Sequence, residues 1–317
     1  MNEVEARGAG RGARVGFSLV EILLVMALLS LIMLALMSVF NSTQSAFRSS
    51  VTQTDVLEGG RATMDLMSSD FRQMSPSGGY MEPPTPLNVE PGLNSGNFAP
   101  YDPVNFWLSD PSGTVTNSLI GVSNGQTRTN QVQSFFILSR VNDVWKGVGY
   151  FVDTNSTTSI DPLYRYDSSI LPGRPTAWQI YSNYLTVFNS NIQTISDTNI
   201  YIHHLLDGVL HLNVRAFDTN GVVLTNGYAF GQGTNVNNAR FYPPAGGEVA
   251  MYMCSNTLPA AVEIQMGVIE DRTLQRASSM AMGGPVQINY LAQQAGKLHL
   301  FRQRVTIPNV DPAAYQQ

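Results

Sequence analysis

The stretch "GFSLVEILLVMALLSLIMLALMSVF", residues 16–40, decides how the chain is read. From Phe17 to Phe40 the only charged side chain is Glu21, and Ser18, Ser30 and Ser38 are the other polar members. As a helix rising 1.5 Å per residue the segment reaches about 36 Å, enough to cross roughly 30 Å of hydrocarbon. The residues before it carry Arg7, Arg11 and Arg14 against Glu3 and Glu5, and the next arginine is Arg48. That asymmetry puts the leader in the cytoplasm and the rest of the chain outside it. A secretory signal peptide would have a shorter apolar region and a small-residue cleavage site, and "SVFNSTQSAF" makes a poor one. A plain signal anchor leaves Glu21 unexplained, because a carboxylate in hydrocarbon costs about 3 kcal/mol.

The helix is predicted to run on past the membrane. No proline occurs between Asn41 and Met74, and Pro76 with Ser77-Gly78-Gly79 stops it, which makes a helix of about 58 residues. Leu57, Met64, Met67, Phe71 and Met74 trace one apolar stripe, with Arg61, Asp65, Ser69 and Arg72 off it. Gly60 lies in the stripe, where a backbone can approach a sheet closely. Gly59-Gly60 is also a weak point, since two glycines cost about 2 kcal/mol relative to alanine. The stripe predicts an outer half, residues 41–75, that docks on a domain.

Residues 76–131, rich in Pro, Gly, Asn and Ser, read as a long surface excursion with little regular structure. From 132 on, strands dominate. "VQSFFILSR" and "GVGYFVD" flank "VNDVWK" as a hairpin, and "PLYRYD" (162–167) is a short strand. In "VLHLNVRAF", Leu210, Leu212, Val214 and Ala216 alternate with His211, Asn213, Arg215 and Phe217. In "AAVEIQMGVIED", Val262, Ile264, Met266 and Val268 alternate with Glu263, Gln265 and Gly267. Both read as half-buried antiparallel strands. Helices follow at about 270–281 and 286–296, then a last strand, "KLHLFRQRVTIP", ended by Pro308. The fold class is α+β: a long N-terminal helix packed on an antiparallel sheet domain, residues 132–317.

Composition narrows the function. The formal net charge of -5 offers nothing to nucleic acid in bulk. The one cysteine, Cys254, excludes an intrachain disulfide and sits in the apolar run "VAMYMCS", where it reads as a buried thiol. His203, His204 and His211 with Asp207 suggest a metal site, but adjacent strand residues point to opposite faces. Asp218-Thr219-Asn220-Gly221 starts like a calcium loop and lacks the glutamate twelve residues on, so it reads as a turn. There is no nucleophile elbow and no Walker loop. Trp107, Trp145 and Trp178 are scattered without basic neighbours, against a nucleic-acid groove. No catalytic residue and no cofactor are expected.

"GFSLVE" followed by an apolar helix resembles the prepilin processing signal of type IV pilin-like proteins. The order matches: Gly16, Phe17, a glutamate five residues into the mature chain, then the membrane helix. The resemblance implies that a prepilin peptidase cuts between Gly16 and Phe17 and N-methylates Phe17. Residues 1–16 would then be a leader and 17–40 the membrane half of the helix. Further along, "GGRATMDLMSSDFRQM", "FFILSR", "GVGYFVD", "LYRYD", "LLDGVLHLNVRAFD", "LPAAVEIQMGVIED" and "FRQRVTI" follow in an order similar to the J-type minor pseudopilins of type II secretion and the W-type minor type IV pilins. Helix order, Pro-rich insertion and length also resemble the family called Verru_Chthon cassette protein C. The insertion at 76–131 and the polar segments 154–200 and 225–247 depart from a secretion pseudopilin.

Cleavage would create a cationic amine at Phe17. A buried ammonium and a buried carboxylate are each costly alone and tolerable as a pair, so Glu21 can meet the Phe17 amine of a neighbouring subunit in a filament. The other reading is local: Glu21 caps the helix start, where its charge suits the dipole, or reaches to the headgroups. The resemblance implies a minor, tip-proximal subunit of a type II pseudopilus or type IV pilus. Its partners would be the peptidase, other minor pilins and an inner-membrane assembly platform, with the C-terminal domain periplasmic in a bacterial cell. Calcium sites occur among pseudopilins, so a loop-borne calcium stays open and unplaced. The alternative from another class is a periplasmic binding or enzymatic domain that uses the helix only as an anchor; a DNA-uptake pilin would want a basic surface.

Overall fold

The computed structural model describes residues 18–78, 103–109, 120–122, 126–128, 131–152, 161–171, 173–189, 200–224, 239–242, 250–281 and 285–315. Gly16 and Phe17, and most of the span 76–131, lie outside them. Helix α1 runs Leu19–Arg72. The chain divides into two units, Met1–Val51 and Thr52–Gln317.

In the first unit every described residue of the helix is exposed. The second unit is built on an antiparallel sheet of nine strands: β1 (Val104–Leu108), β4 (Phe135–Val141), β5 (Val144–Val152), β6 (Asp161–Asp167), β7 (Ile202–Phe217), β8 (Ala239–Tyr242), β9 (Ala250–Cys254), β10 (Ala261–Ile269) and β11 (Leu298–Thr306). Their order is β11-β10-β7-β6-β5-β4-β1-β9-β8. A separate two-stranded ribbon pairs β2 (Ile120–Val122) with β3 (Gln126–Arg128). Helices α2 (Ala177–Asn189), α3 (Asp271–Ser278) and α4 (Pro285–Gln293) complete the described elements with the short 3-10 turns. The class is α+β, as read from the pattern.

The end of α1 from Thr52 covers one face of the sheet. Val56, Gly60, Thr63, Met64, Met67, Ser68, Asp70 and Phe71 are its buried residues, and Met74 follows just past the helix end. This is the predicted stripe with one correction: Leu57 is 43% exposed and Val56 takes the buried place. Leu57 turns toward the side of the helix that carries Glu58 and Arg61, one residue off the seam. Phe71 stacks on Phe135 with ring centroids 5.2 Å apart, and Phe135 on Tyr150 at 4.9 Å. Helix hydrogen bonding continues through Gly59-Gly60. A Cβ on Gly60 would lie 2.3 Å from the Phe301 ring of β11, so the missing side chain admits that ring.

On the opposite face α2 packs over β1, β4, β5 and β6. Phe136, Leu138, Phe151, Tyr166, Trp107, Ile180, Tyr181 and Tyr184 form this second core. Gly149 makes room for it: a Cβ there would meet the Tyr184 ring at 2.2 Å. A third, smaller cluster joins Leu210 and Ile269 to Ala277 of α3 and Leu291 of α4. Layers on both faces explain a further correction. Strand β10 is buried at eight of its nine positions and β7 is buried from Gly208 to Val214, so neither is the half-buried strand its alternation suggests. In β10 the polar Glu263 is sequestered too, only 7% exposed, while Gln265 is half-buried.

Residues 76–131 are not wholly irregular. Strand β1 pairs with both β4 and β9, and all five of its residues are buried. "VNFWL" has no alternation because both faces are covered, so a Pro- and Asn-rich composition hid it. Asn105 binds this region to its surroundings: its Nδ2 donates to the Ser255 and Thr257 carbonyls at 2.9 and 3.0 Å, and its Oδ1 accepts from the Ser77 N–H at 2.9 Å.

Candidate functional site

The start of α1 is capped locally. The Glu21 N–H donates to Ser18, at 3.0 Å to its carbonyl and 3.3 Å to its hydroxyl. Ser18 at the cap with glutamate three residues on is the sequence of a capping box, which satisfies orphan N–H groups of the first turn. Glu21 itself is exposed, the acidic residue of that turn. Beyond it Leu19, Ile22, Leu23, Leu28, Leu31 and Leu34 are each more than half exposed. The helix is long and apolar enough to cross a membrane, with mean hydropathy 2.9 in its most apolar window and none of that window buried. A surface of this kind is stable against hydrocarbon or against other apolar helices, not against water.

The far end of the helix holds a feature that sequence reasoning missed. Arg165 of β6 donates from Nε to Asp70 Oδ2 at 3.0 Å and from Nη1 to Asp167 Oδ2 at 2.7 Å. Tyr150 of β5 donates its hydroxyl to Asp70 Oδ2 at 2.6 Å, and Lys146 Nζ lies 3.4 Å from Asp167. Asp70 and Asp167 are each 8% exposed. Burial works to raise the pKa of Asp167, but the Ser169 N–H and hydroxyl and the Arg165 guanidinium outweigh it and hold the carboxyl at about 2. Burial, then the Asp70 carboxylate, push the Tyr150 phenol far above its ordinary value, so it stays a donor. Asp70 belongs to the "DFRQ" at the helix end and Arg165 to "LYR", two short motifs that the sequence reading placed in one ordered series without pairing them. A buried carboxylate facing a buried guanidinium from the next layer is the signal that joins them, and it is legible only once β6 is placed under α1.

The histidines do not converge. His204 Nε2 is 2.8 Å from Asp207, while His211 is buried and its Nδ1 accepts from the Gln131 N–H at 3.1 Å. Among the described residues no group of three or more His, Cys, Asp or Glu is placed to hold a metal ion. Asp218 makes the predicted turn, its Oδ1 accepting from Asn220 and Val222 N–H at 2.9 and 2.7 Å, with Gly221 at φ +79°. Cys254 is buried, as its apolar run suggests. One tryptophan does have a basic neighbour, contrary to the sequence reading: the Arg140 guanidinium lies 5.2 Å from the Trp145 ring centroid, across the turn of the β4–β5 hairpin.

No protein-family model matches this chain, and no curated protein or solved structure matches it either.

Proposed function

We propose that the chain is a pilin-like subunit, cut by a prepilin peptidase between Gly16 and Phe17, N-methylated at Phe17, and assembled as a minor, tip-proximal component of a type II pseudopilus or type IV pilus. One observation carries this reading: a lone carboxylate, Glu21, stands in the first turn of a helix whose apolar length is wholly exposed, and "GF" precedes it at the spacing of the processing signal. The helix is held in a bacterial inner membrane until assembly, with the leader cytoplasmic and the sheet domain periplasmic. Its job is then assembly, not catalysis, and the work of extraction comes from partner proteins of the assembly platform.

The Ser18–Glu21 cap favours a second reading, in which the helix only anchors a periplasmic binding or enzymatic domain and Glu21 finishes the helix end. Mass spectrometry of the protein from its native host separates the two. The first reading requires a mature chain that begins at methylated Phe17. A chain that retains Gly16 removes the processing step and leaves the anchor.

A further inference from the structure

Strand β11 is an outer edge of the sheet. It pairs with β10 residue for residue, from Leu298 opposite Ile269 to Thr306 opposite Ala261, without a bulge, and no described strand lies on its other side. Edge strands usually carry a bulge, a proline or a cover, because their free N–H and C=O groups template further pairing. Among the described residues this one has neither a bulge nor a proline; α1 covers its inner face at Phe301, and charged side chains are what guards its outer edge. Its sequence, "KLHLFRQRVT" (297–306), has Lys297, His299, Arg302 and Arg304 and no carboxylate.

The two faces of β11 differ. Phe301 and Val305 belong to the core under α1. Arg302, on the other face, is 62% exposed while its Nη2 reaches Glu263 at 2.8 Å, and the exposed Arg304 lies over the Phe217 ring at 3.9 Å. On the α1 side a groove of about 600 Å³ runs between α1 and β11, with Leu57 and Phe301 among its walls. Leu57, Met64, Leu300 and Phe301 give it an apolar lining beside Glu58, Arg61 and Asp65 of α1, so the groove takes an apolar side chain.

We propose that β11 accepts an extended acidic segment of another protein as an added outer strand. Main-chain hydrogen bonds to the free edge give the affinity, and alternate side chains give the specificity. Apolar side chains on one face enter the groove beside Leu57 and Phe301. Carboxylates on the other face meet Arg302 and Arg304. The same arginines disfavour a second copy of this chain: antiparallel β11–β11 pairing about Arg302 or Gln303 sets guanidinium opposite guanidinium, and like charges directly opposite destabilise a sheet. The inference rests on the sheet edge and is independent of cleavage after Gly16.

The test uses the full chain in detergent and a capped probe peptide that alternates valine with glutamate, beside the same peptide with lysine for glutamate. The glutamate probe binds and slows hydrogen exchange in residues 298–306; the lysine probe does not. Arg304→Glu weakens the glutamate probe about three- to tenfold and gains binding of the lysine probe, a gain that an unfolded variant would not show. Equal binding of both probes, protection confined to residues outside β11, or an unchanged Arg304→Glu preference overturns the proposal. A photo-crosslinker at Gln303 in the native host is expected to capture a different protein, and capture of this chain alone also overturns it.

Discussion

Arg165 Nε lies 3.0 Å from Asp70 Oδ2, and this one pair fastens the last buried turn of α1 to the middle of the sheet. Arg165 serves two carboxylates, Asp70 and Asp167, whereas Asp70 is held by Arg165 and by the Tyr150 hydroxyl. The three substitutions therefore have unequal costs. We expect Arg165→Met to cost about 3–5 kcal/mol, because it strands two buried carboxylates. Asp70→Asn costs less, since Arg165 keeps Asp167. Tyr150→Phe loses one hydrogen bond to a charge, about 1.5–3 kcal/mol. Denaturant unfolding of the protein in detergent checks the ranking; equal costs for Arg165→Met and Asp70→Asn would contradict it.

Acid should loosen the same place. The folded carboxyl of Asp167 titrates at about 2, below its ordinary value of 3.8. A depressed acid contributes stability that is present above the unfolded value and lost as pH falls through the folded one, here between about pH 4 and pH 2. The difference corresponds to about 2 kcal/mol. Unfolding free energy measured down this range should fall more in wild type than in Asp167→Asn. Parallel curves would show that Asp167 does not supply the acid sensitivity.

Gly149→Ala tests the packing of α2. Alanine normally strengthens a strand position held by glycine, yet its Cβ here would sit 2.2 Å from the ring of Tyr184, which is fully buried and packed by Phe136, Tyr166 and Phe188. We expect a loss of about 1–3 kcal/mol. Gly296→Ala, where nothing lies within 4 Å, is the control and should be near neutral. Thermal unfolding of the two variants decides it, and a stabilised Gly149→Ala would mean that Tyr184 moves aside freely.

For Glu21 the expected phenotype is loss of assembly with insertion intact. Glu21→Val makes the helix more apolar, so membrane insertion and cleavage proceed. In a filament the Phe17 amine of a neighbour would lose its counter-charge, a penalty of about 3–5 kcal/mol for a buried pair. Co-purification with other pilin-like subunits, wild type against Glu21→Val, is the measurement. Undiminished recovery would leave Glu21 as the local partner of Ser18.

What could be read in the sequence was whatever carried a period or a turn. The helix to Arg72, the hairpin around Asn142-Asp143, the Asp218 turn and the strands β6, β7, β10 and β11 all announce themselves that way. Segments buried on both sides do not. "VNFWL" and "AMYMC" are short apolar runs without alternation, and they pair with each other in the sheet. Helix α2 lay unread inside the polar segment 154–200, although Thr176 and Gln179 form a reciprocal capping box and Ile180, Tyr181, Tyr184 and Phe188 repeat at helical spacing. The proposed processing and assembly residues show the reverse. Gly16, Phe17 and Glu21 stand out in sequence by their order, whereas the Asp70–Arg165 clamp depends on two positions 95 apart in the chain and has no local signature.

Helix α1 is hydrogen-bonded from Leu19 to Arg72 and meets two different demands. From Leu19 to Val51 every residue is exposed, so its order there is held by its own backbone ladder. From Val56 on, its order depends on the sheet. Heating the protein in a micelle should therefore melt the sheet domain while much of the N-terminal ellipticity survives, because that part of the helix is exposed and ordered by its own backbone hydrogen bonds. A calorimeter and a spectropolarimeter would then report different fractions unfolded for the same sample.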